Sequence, residues 1–381
     1  MLLSNDGVAD PRVEKEALAL AAAGWEVTVL AWDRSGQAPV REVRADRVVY
    51  ERLGPRAPYG GGPRSLPRFR EFWHAAAERT VAIGPSVVHC HDLDTAPAGL
   101  RALGSVSPRP ALVLDMHELY RESNMVPQRG VVGLAARSAV RLLERRAYSA
   151  ADAILVANPG TVGYYERLGA GEKVVVVENA PDADLFGPVD WPAGGRFVIG
   201  YFGQKRYIEE LRLLIEVVAG HEGLGAVLAG GGTAEAEVER LAQGVDRIEV
   251  SGRFRYSELP ALYGRCDAVY AVYDARLGNV RTLFPVKVME AMACALPVIV
   301  AEGTWIGEYV NANRIGVAVP AGDREALERA ITTLSERRDE ARAMGCRGRA
   351  LVEAGLNWRA ASARLVETYE RLRAARPGTS R

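Results

Sequence analysis

At 381 residues the chain exceeds what one hydrophobic core usually serves, so two domains are expected. Hydrophobic residues at 48% and charged residues at 25% fit an ordinary globular protein, and no apolar run approaches the roughly 18 residues of a membrane-spanning helix. Lys and Arg (48) balance Asp and Glu (48), so no whole-molecule field favours nucleic acid.

From the N-terminus, strands alternate with helical segments, the pattern of an α/β fold with parallel sheets. Strands are expected at Met1 to Ser4, Glu26 to Ala31, Val48 to Arg52, Ser86 to Cys90, Ala111 to Asp115, Ala153 to Ala157 and Lys173 to Val177. The first is short for a buried strand, which suggests a natural start upstream of Met1 or a reading frame entered internally. Its residues lack the basic flank and long apolar run of a secretory signal. Cys90, Cys266, Cys294 and Cys346 lie far apart, without the close pairing of zinc or thioredoxin-like sites. Reduced thiols and a cytoplasmic location follow, with peripheral membrane contact left open.

Asp10-Pro11-Arg12-Val13 opens the first helix, because Asp accepts from the free amides and Pro is tolerated in the first turn; Gly24 stops it. Around Glu178 to Gly195 the periodicity lapses into a Pro/Gly/Asp-rich stretch that reads as a linker. A second series of strands follows at Phe197 to Phe202, Gly225 to Ala229, Arg247 to Ser251, Ala268 to Val272, Leu296 to Val300 and Gly316 to Val319. From Arg324 to Arg376 the chain reads as helical, interrupted at Gly355 to Asn357, with a last amphipathic helix from Trp358 through Leu365, Tyr369 and Leu372. The expected domains are 1–185 and 186–356, followed by a C-terminal helix at 357–381.

Open parallel sheets bind ligands beyond the carboxyl ends of their strands, where helix N-termini present free amides. Two such sheets imply a cleft with a negative diphosphate gripped on one side and an acceptor presented on the other.

The segment Leu283 to Val300 runs from a turn into a helix and a buried strand, and contains Phe284-Pro285-Val286-Lys287, Glu290-Ala291-Met292-Ala293 and Pro297-Val298. It resembles the donor-binding signature of the retaining family 4 glycosyltransferases of the GT-B fold: a first Glu, then two helical turns later a second Glu followed by Ala-Met-Ala. Glu290 stands at the second Glu, to which the resemblance assigns the ribose hydroxyls. An ionised acceptor is a strong partner for these. Thr282 stands where the family has its first, sugar-gripping Glu. Pro285, Lys287 and Glu290 match the Pro-x-Lys-x-x-Glu variant, in which Lys287 supplies positive charge near the phosphates and the Val286 and Lys287 amides point at them.

Other matches extend the resemblance over nearly the whole chain, as far as the helix at 357–381, which the resemblance implies packs back on the first domain. Gly200-Tyr201-Phe202-Gly203-Gln204-Lys205-Arg206 resembles the strand, glycine and basic residue that meet the diphosphate, with Arg206 the first choice and Lys205 the second. Gly230-Gly231-Gly232 resembles a strand-to-glycine turn, and Gly252-Arg253-Phe254 the loop bordering the nucleobase. In the first half, Asn5-Asp6-Gly7 resembles a glycine loop that approaches donor phosphate or sugar, with Asp6 on the acceptor side. Asp10-Pro11-Arg12-Val13 with Lys15-Glu16-Ala17 resembles a first-helix opening that supports the site without catalysing. Asp115-Met116-His117-Glu118 resembles an Asp-x-His-Glu motif: His117 is the catalytic candidate that contacts the sugar or orients the acceptor, and Glu118 accepts the acceptor's proton. His91 and Asp92, at the end of an earlier strand, are further acceptor-side candidates. His89, His91 and His117 are a conceivable metal trio, but alternation on adjacent strands does not by itself supply a convergent shell, and the resembling fold needs no protein-bound metal. No metal and no cofactor beyond the sugar donor are expected.

The resemblance implies front-face transfer from a nucleoside diphosphate-sugar to an acceptor hydroxyl (sugar, lipid-linked or small-molecule) with retained configuration. Arg206 and Lys287 stabilise charge and Glu290 anchors the nucleotide. The alternatives are a GT-B nucleotide-sugar epimerase or phosphorylase and, because of Thr282, a non-catalytic nucleotide-sugar binding protein. Basic faces near Arg64, Arg68 and Arg70 and near Arg137, Arg141, Arg145 and Arg146 read first as solvated helix surface, with an acidic membrane as the second reading.

Overall fold

The computed structural model describes residues 1–8, 10–58, 62–123, 126–127, 130–190, 194–206 and 208–376. It divides into two compact units, Met1–Glu178 with Ala361–Arg381, and Asn179–Ala360.

In chain order the first unit contains β1 (Leu2–Leu3), α1 (Pro11–Ala22), β2 (Val27–Trp32), β3 (Arg41–Ala45), β4 (Val48–Leu53), α2 (Leu66–Ile83), β5 (Val87–His91), α3 (Ala96–Leu103), β6 (Ala111–Met116), α4 (Gly130–Ala150), β7 (Ala153–Val156), α5 (Val162–Arg167) and β8 (Val174–Val176). The second continues with β9 (Phe197–Phe202), α6 (Ile208–Gly220), β10 (Leu224–Ala229), α7 (Glu235–Ala242), β11 (Ile248–Ser251), α8 (Leu259–Tyr263), β12 (Ala268–Ala271), α9 (Val286–Ala293), β13 (Val298–Ala301), α10 (Trp305–Asn313), β14 (Gly316–Val319), α11 (Arg324–Glu336) and α12 (Arg338–Ala354). α13 (Trp358–Ala374) follows and joins the first unit from Ala361 onward.

The first sheet runs β3-β4-β2-β1-β5-β6-β7-β8, parallel except for β3. The second runs β11-β10-β9-β12-β13-β14, parallel throughout. In both, the strand order reverses beside the first parallel strand of the unit, between β1 and β5 and between β9 and β12. That reversal leaves a crevice at the strands' carboxyl ends, where a doubly wound sheet receives its ligand.

Local chemistry accounts for the elements. Asp10 accepts from the Val13 amide and Pro11 occupies the first turn of α1. Thr304 and Asp323 cap α10 and α11 in the same way. The second sheet is clad on both faces: Ile199, Leu214 and Ile331 belong to one apolar core and Val269, Val288 and Met292 to the other. That two-sided burial produces continuous apolar strands. The first unit packs Leu30, Val88 and Leu112 against Phe72 and Ala147.

The differences from the sequence reading are local. β3 was not expected, since Arg-Glu-Val-Arg-Ala has no buried face; it pairs as an antiparallel edge with β4. The expected continuous helix after Arg324 breaks a second time, at Arg337 between α11 and α12. The units divide at 178/179 and 360/361 rather than at 185/186 and 356/357. The Trp358 amide bonds Pro181 O, which ties both of those residues to the second unit. Within the expected linker, Trp191, Pro192 and Ala193 lie outside the described residues.

Candidate active site

In the second unit β9 ends at Phe202 and turns through Gly203 to Arg206. The turn lies hard against Gly230 to Gly232: Gly203 N bonds Ala229 O, Lys205 N bonds Gly231 O and Ala234 N bonds Lys205 O. Gly230, at φ 127°, has no room for a side chain, because a Cβ would stand 2.0 Å from Gly203 O. The three glycines therefore seat the β9 turn.

Lys205 sits inside this contact. Its ammonium donates to Gly230 O at 2.5 Å and Ser251 O at 2.6 Å and is fully buried. It holds three loops together and is not offered to a phosphate. Arg206 is exposed, and among the described residues its guanidinium has no partner. Arg253 is also exposed, and lies over Gly231, whose Cβ would meet Arg253 Cγ at 3.0 Å.

Across the β9/β12 reversal, α9 begins directly after Pro285, so the Val286 and Lys287 amides stand at its open end, while the Val288 amide bonds Pro285 O. Lys287 Nζ lies 3.6 Å from the Tyr201 ring centroid and 5.5 Å from that of Tyr273. Burial lowers its ammonium to about 7, against the pull of the Glu290 carboxylate. Glu290 is itself buried, and the Tyr263 hydroxyl donates to its Oε2 at 2.8 Å. The Tyr256 hydroxyl is raised first by burial and then by the charge of this same carboxylate, to which it hydrogen-bonds. Gly203, Phe254, Tyr273, Val286, Lys287 and Glu290 line one concavity at the reversal point. Gly252 is half-buried beside Glu235.

Two donor-site candidates face elsewhere. Phe284 packs against Trp305 and Tyr309 at centroid distances of 5.2 and 5.3 Å and is a core aromatic. Thr282 ends a short turn, with its hydroxyl 3.4 Å from Asn279 O.

In the first unit the reversal between β1 and β5 gathers the polar residues. Gly7 has φ 64°, and a Cβ there would stand 2.8 Å from Tyr50 Cε1. The Asn5 and Asp6 side chains accept from the Gly7 and Val8 amides, so both cap their own loop. Asp92 follows β5 with φ 62°, a left-handed conformation uncommon outside glycine and frequent at functional turns.

Asp115 is the hub of this half. Arg12 Nε and Nη2 donate to its two oxygens at 2.9 and 2.6 Å, while His91 Nδ1 and His117 Nε2 lie 3.1 and 3.0 Å from Oδ2. The other ring nitrogen of His117 is 3.3 Å from Asp92 Oδ2, and the His117 amide donates to Asp92 Oδ1. Burial pulls the His117 imidazole down, but the Asp92 and Asp115 carboxylates outweigh it and push it up to about 10. Burial likewise resists the ionisation of Asp115, yet Arg12 and His117 hold it well below the usual carboxylate range. His117 is thus an imidazolium clamped between two carboxylates, a fixed positive charge and not a free base. Glu118, half-buried, is the next residue.

Glu16, His89, His91 and Asp115 bring one potential ligand atom each within 4.8 Å of one another. The two imidazoles are stacked, with centroids 4.3 Å apart and planes 19° apart, so their lone pairs run side by side. Arg12 already places its charge 3.0 Å from Glu16 and 2.6 Å from Asp115. The cluster suits a guanidinium better than a metal ion. Burial raises the Glu16 carboxyl to about 8, and His89 is held instead by the Tyr369 hydroxyl at 2.7 Å from α13.

Sequence reasoning placed His117 and Asp92 at strand ends and Lys287 and Glu290 on a helix after a turn; the strand order sets these positions at the reversal points. It missed Asp115 as the hub, Arg12 and Glu16 as its partners, and Tyr201 and Tyr263 as the supports of Lys287 and Glu290. The i, i+4 spacing of Arg12 and Glu16 on the buried face of α1 was the signal available.

Comparison with known proteins is consistent with this geometry. Residues 9–180 match the family described as glycosyl transferase 4-like domain, and residues 195–337 match glycosyl transferases group 1. The succinoglycan biosynthesis protein ExoL of Rhizobium meliloti is 24% identical over 356 residues, covering 88% of this chain and 84% of that protein. The O-antigen chain mannosyltransferase C of Escherichia coli is 26% identical over 203 residues, 50% of this chain and 53% of that one. Among solved structures, sucrose-phosphate synthase of Thermosynechococcus elongatus superposes with a TM-score of 0.78 at 23% identity, covering 98% of each chain. HepE of Anabaena, solved with UDP and glucose, gives 0.69 at 18% identity, covering 97% of this chain and 99% of the other.

Proposed function

The chain belongs to the glycosyl transferases, a 4-like domain followed by a group 1 domain on the GT-B fold, and from that premise we propose that it moves a sugar from a nucleoside diphosphate-sugar to an acceptor hydroxyl. The observation that carries the donor reading is the Lys287–Glu290 pair in one concavity at the β9/β12 reversal. Glu290, steadied by Tyr263, accepts from the ribose hydroxyls; Lys287 and the Val286 and Lys287 amides face the diphosphate. Exposed Arg206 closes on the phosphates and stabilises the leaving nucleoside diphosphate as its charge develops. The named relatives in succinoglycan and O-antigen synthesis support a role in glycan assembly, with a sugar, lipid-linked or small-molecule hydroxyl as acceptor.

In the first unit, the imidazolium of His117 supplies a fixed positive charge beside Asp92, while Asp115 and Arg12 hold it in place. Both ring nitrogens are engaged, so His117 orients the acceptor, and Glu118 beside it is the group assigned to accept the hydroxyl proton. The resemblance of Glu290-Ala291-Met292-Ala293 to the signature of the retaining family 4 enzymes supports transfer on the front face with retention. Reduced thiols at Cys90, Cys266, Cys294 and Cys346 suit a cytoplasmic enzyme.

Turnover with labelled UDP- and GDP-sugars and a panel of lipid-linked and free glycan acceptors tests this reading, with the product anomer assigned by NMR. A product of retained configuration, lost in Glu290→Ala, is expected; an inverted product would overturn the front-face step, and turnover unaffected by Glu290→Ala would overturn the donor site.

A further inference from the structure

Two phenols converge on one carboxylate in the second unit. Tyr256, on the turn before α8, and Tyr263, the last residue of that helix, both hydrogen-bond to Glu290. They are held very differently. Tyr263 is fully buried: its ring packs on Phe202 and Phe186 at centroid distances of 4.5 and 5.9 Å, and its hydroxyl donates to Glu290 Oε2. Tyr256 is 44% exposed, and its ring meets Phe186 edge-on at 5.8 Å. Burial, and then the charge of Glu290, raises both hydroxyls, so both remain protonated donors. Phe254 and Leu259, on either side of Tyr256 in the chain, line the concavity that holds Lys287 and Glu290, which sets Tyr256 beside its wall. One phenol on this carboxylate is locked in the core, and the other is free to leave.

We propose that Tyr256 stands in for a ribose hydroxyl at Glu290: it satisfies the carboxylate in the empty site, gives way when a nucleotide enters, and so sets how strongly the site tells ribose from 2′-deoxyribose. The inference rests on the reading of Glu290 as the ribose acceptor and adds the residue that tunes it. A buried carboxylate left short of a donor costs more than a satisfied hydrogen bond is worth, so the empty site needs a donor there. A half-exposed side chain on a short turn supplies it and can swing into solvent with little loss of packing. When the entering sugar lacks its 2′-hydroxyl, Tyr256 keeps its bond and covers the deficit. Discrimination against deoxyribose is thereby blunted, whereas a site without the stand-in leaves a charged acceptor unpaired and rejects the deoxynucleotide strongly.

Calorimetry with UDP, GDP and their 2′-deoxy counterparts, on the wild type and on Tyr256→Phe, tests it. The variant keeps the ring and loses the hydroxyl. It is expected to melt lower than the wild type when empty, to bind UDP or GDP about fivefold tighter, to bind the deoxynucleotide as the wild type does, and so to raise the ribose-to-deoxyribose ratio of affinities by about the same factor. A tyrosine that merely supports the site predicts weaker binding of both nucleotides alike; that result, or an unchanged ratio, would overturn the proposal. A second measurement needs no altered fold. With carbon-13-labelled tyrosine, the Tyr256 Cζ resonance of the wild type, identified by its loss in Tyr256→Phe, should move when the ribonucleotide binds and stay when the deoxynucleotide binds; a resonance unmoved at saturation with the ribonucleotide would also overturn it. Glu290→Ala separates the two readings. If the wild type binds none of the four nucleotides, or binding survives Glu290→Ala, the donor reading fails and the proposal with it; if Glu290→Ala abolishes binding while Tyr256→Phe leaves the ratio unmoved, only the stand-in role fails.

Discussion

Asp115 shows how much one buried carboxylate can organise. It satisfies Arg12 through both of its oxygens and aligns His91 and His117 at Oδ2. Removing one partner of a buried ion pair typically costs about 3–5 kcal/mol, because the remaining charge stays buried and uncompensated. Asp115→Ala should destabilise the chain on that scale in urea unfolding and bring the His117 imidazole down from about 10, as read by NMR titration; an unmoved His117 would contradict the assignment. A histidine raised from 6.5 to about 10 contributes stability that is fully present below pH 6.5 and is lost as pH rises through 10. Lys287 works the other way: lowered from 10.5 to about 7, it favours the neutral form in the empty site, and a bound diphosphate would draw a proton back onto it. Nucleotide affinity should therefore fall as pH rises above about 7. Lys287→Met should flatten that profile and weaken binding by about tenfold to a hundredfold, measured by calorimetry across pH. His117, Asp92, Lys287 and Glu290 were legible in the sequence as strand-end or helix-start residues. That Asp115 gathers Arg12, His91 and His117 was not, since it depends on the β5–β6 register that sets His91 beside Asp115.

At the scale of elements, the periodic apolar runs located most strands, and β9 and β14 fell at their expected residues. β3 escaped because an exposed edge strand carries no apolar alternation. Lys205 shows the other limit. Its place in a basic loop suggested a phosphate contact, but the close approach of the 230–232 turn draws its ammonium onto two carbonyls. That approach depends on Gly230. Gly230→Ala combines an unfavourable φ of 127° with a Cβ 2.0 Å from Gly203 O, and should cost about 2–4 kcal/mol in thermal unfolding. It should also displace the β9 turn and weaken nucleotide binding; a variant as stable as the wild type would show that the turn is seated otherwise.

At the scale of the whole molecule, two doubly wound sheets repeat one strand order, and each places its polar cluster where that order reverses. Composition and alternation revealed the two sheets. The break at Gly355 to Asn357 separated α12 from α13, but composition and alternation did not say which unit each joins, because both helices are amphipathic and only contacts decide it. α13 returns to the first unit through Leu365, Tyr369 and Leu372, and Tyr369 reaches His89 at the back of the Asp115 cluster. Both halves match the family, while the proposed donor site lies in the second alone. The most direct measurement is a thermal-shift panel of UDP, GDP, ADP, TDP and their common sugar conjugates on the wild type and Glu290→Ala. A ligand that binds only the native state raises its melting temperature by mass action. One nucleoside diphosphate and its sugar should stabilise the wild type selectively and leave Glu290→Ala unmoved; no shift with any nucleotide at millimolar concentration, or equal shifts in both proteins, would contradict a donor site at Lys287 and Glu290.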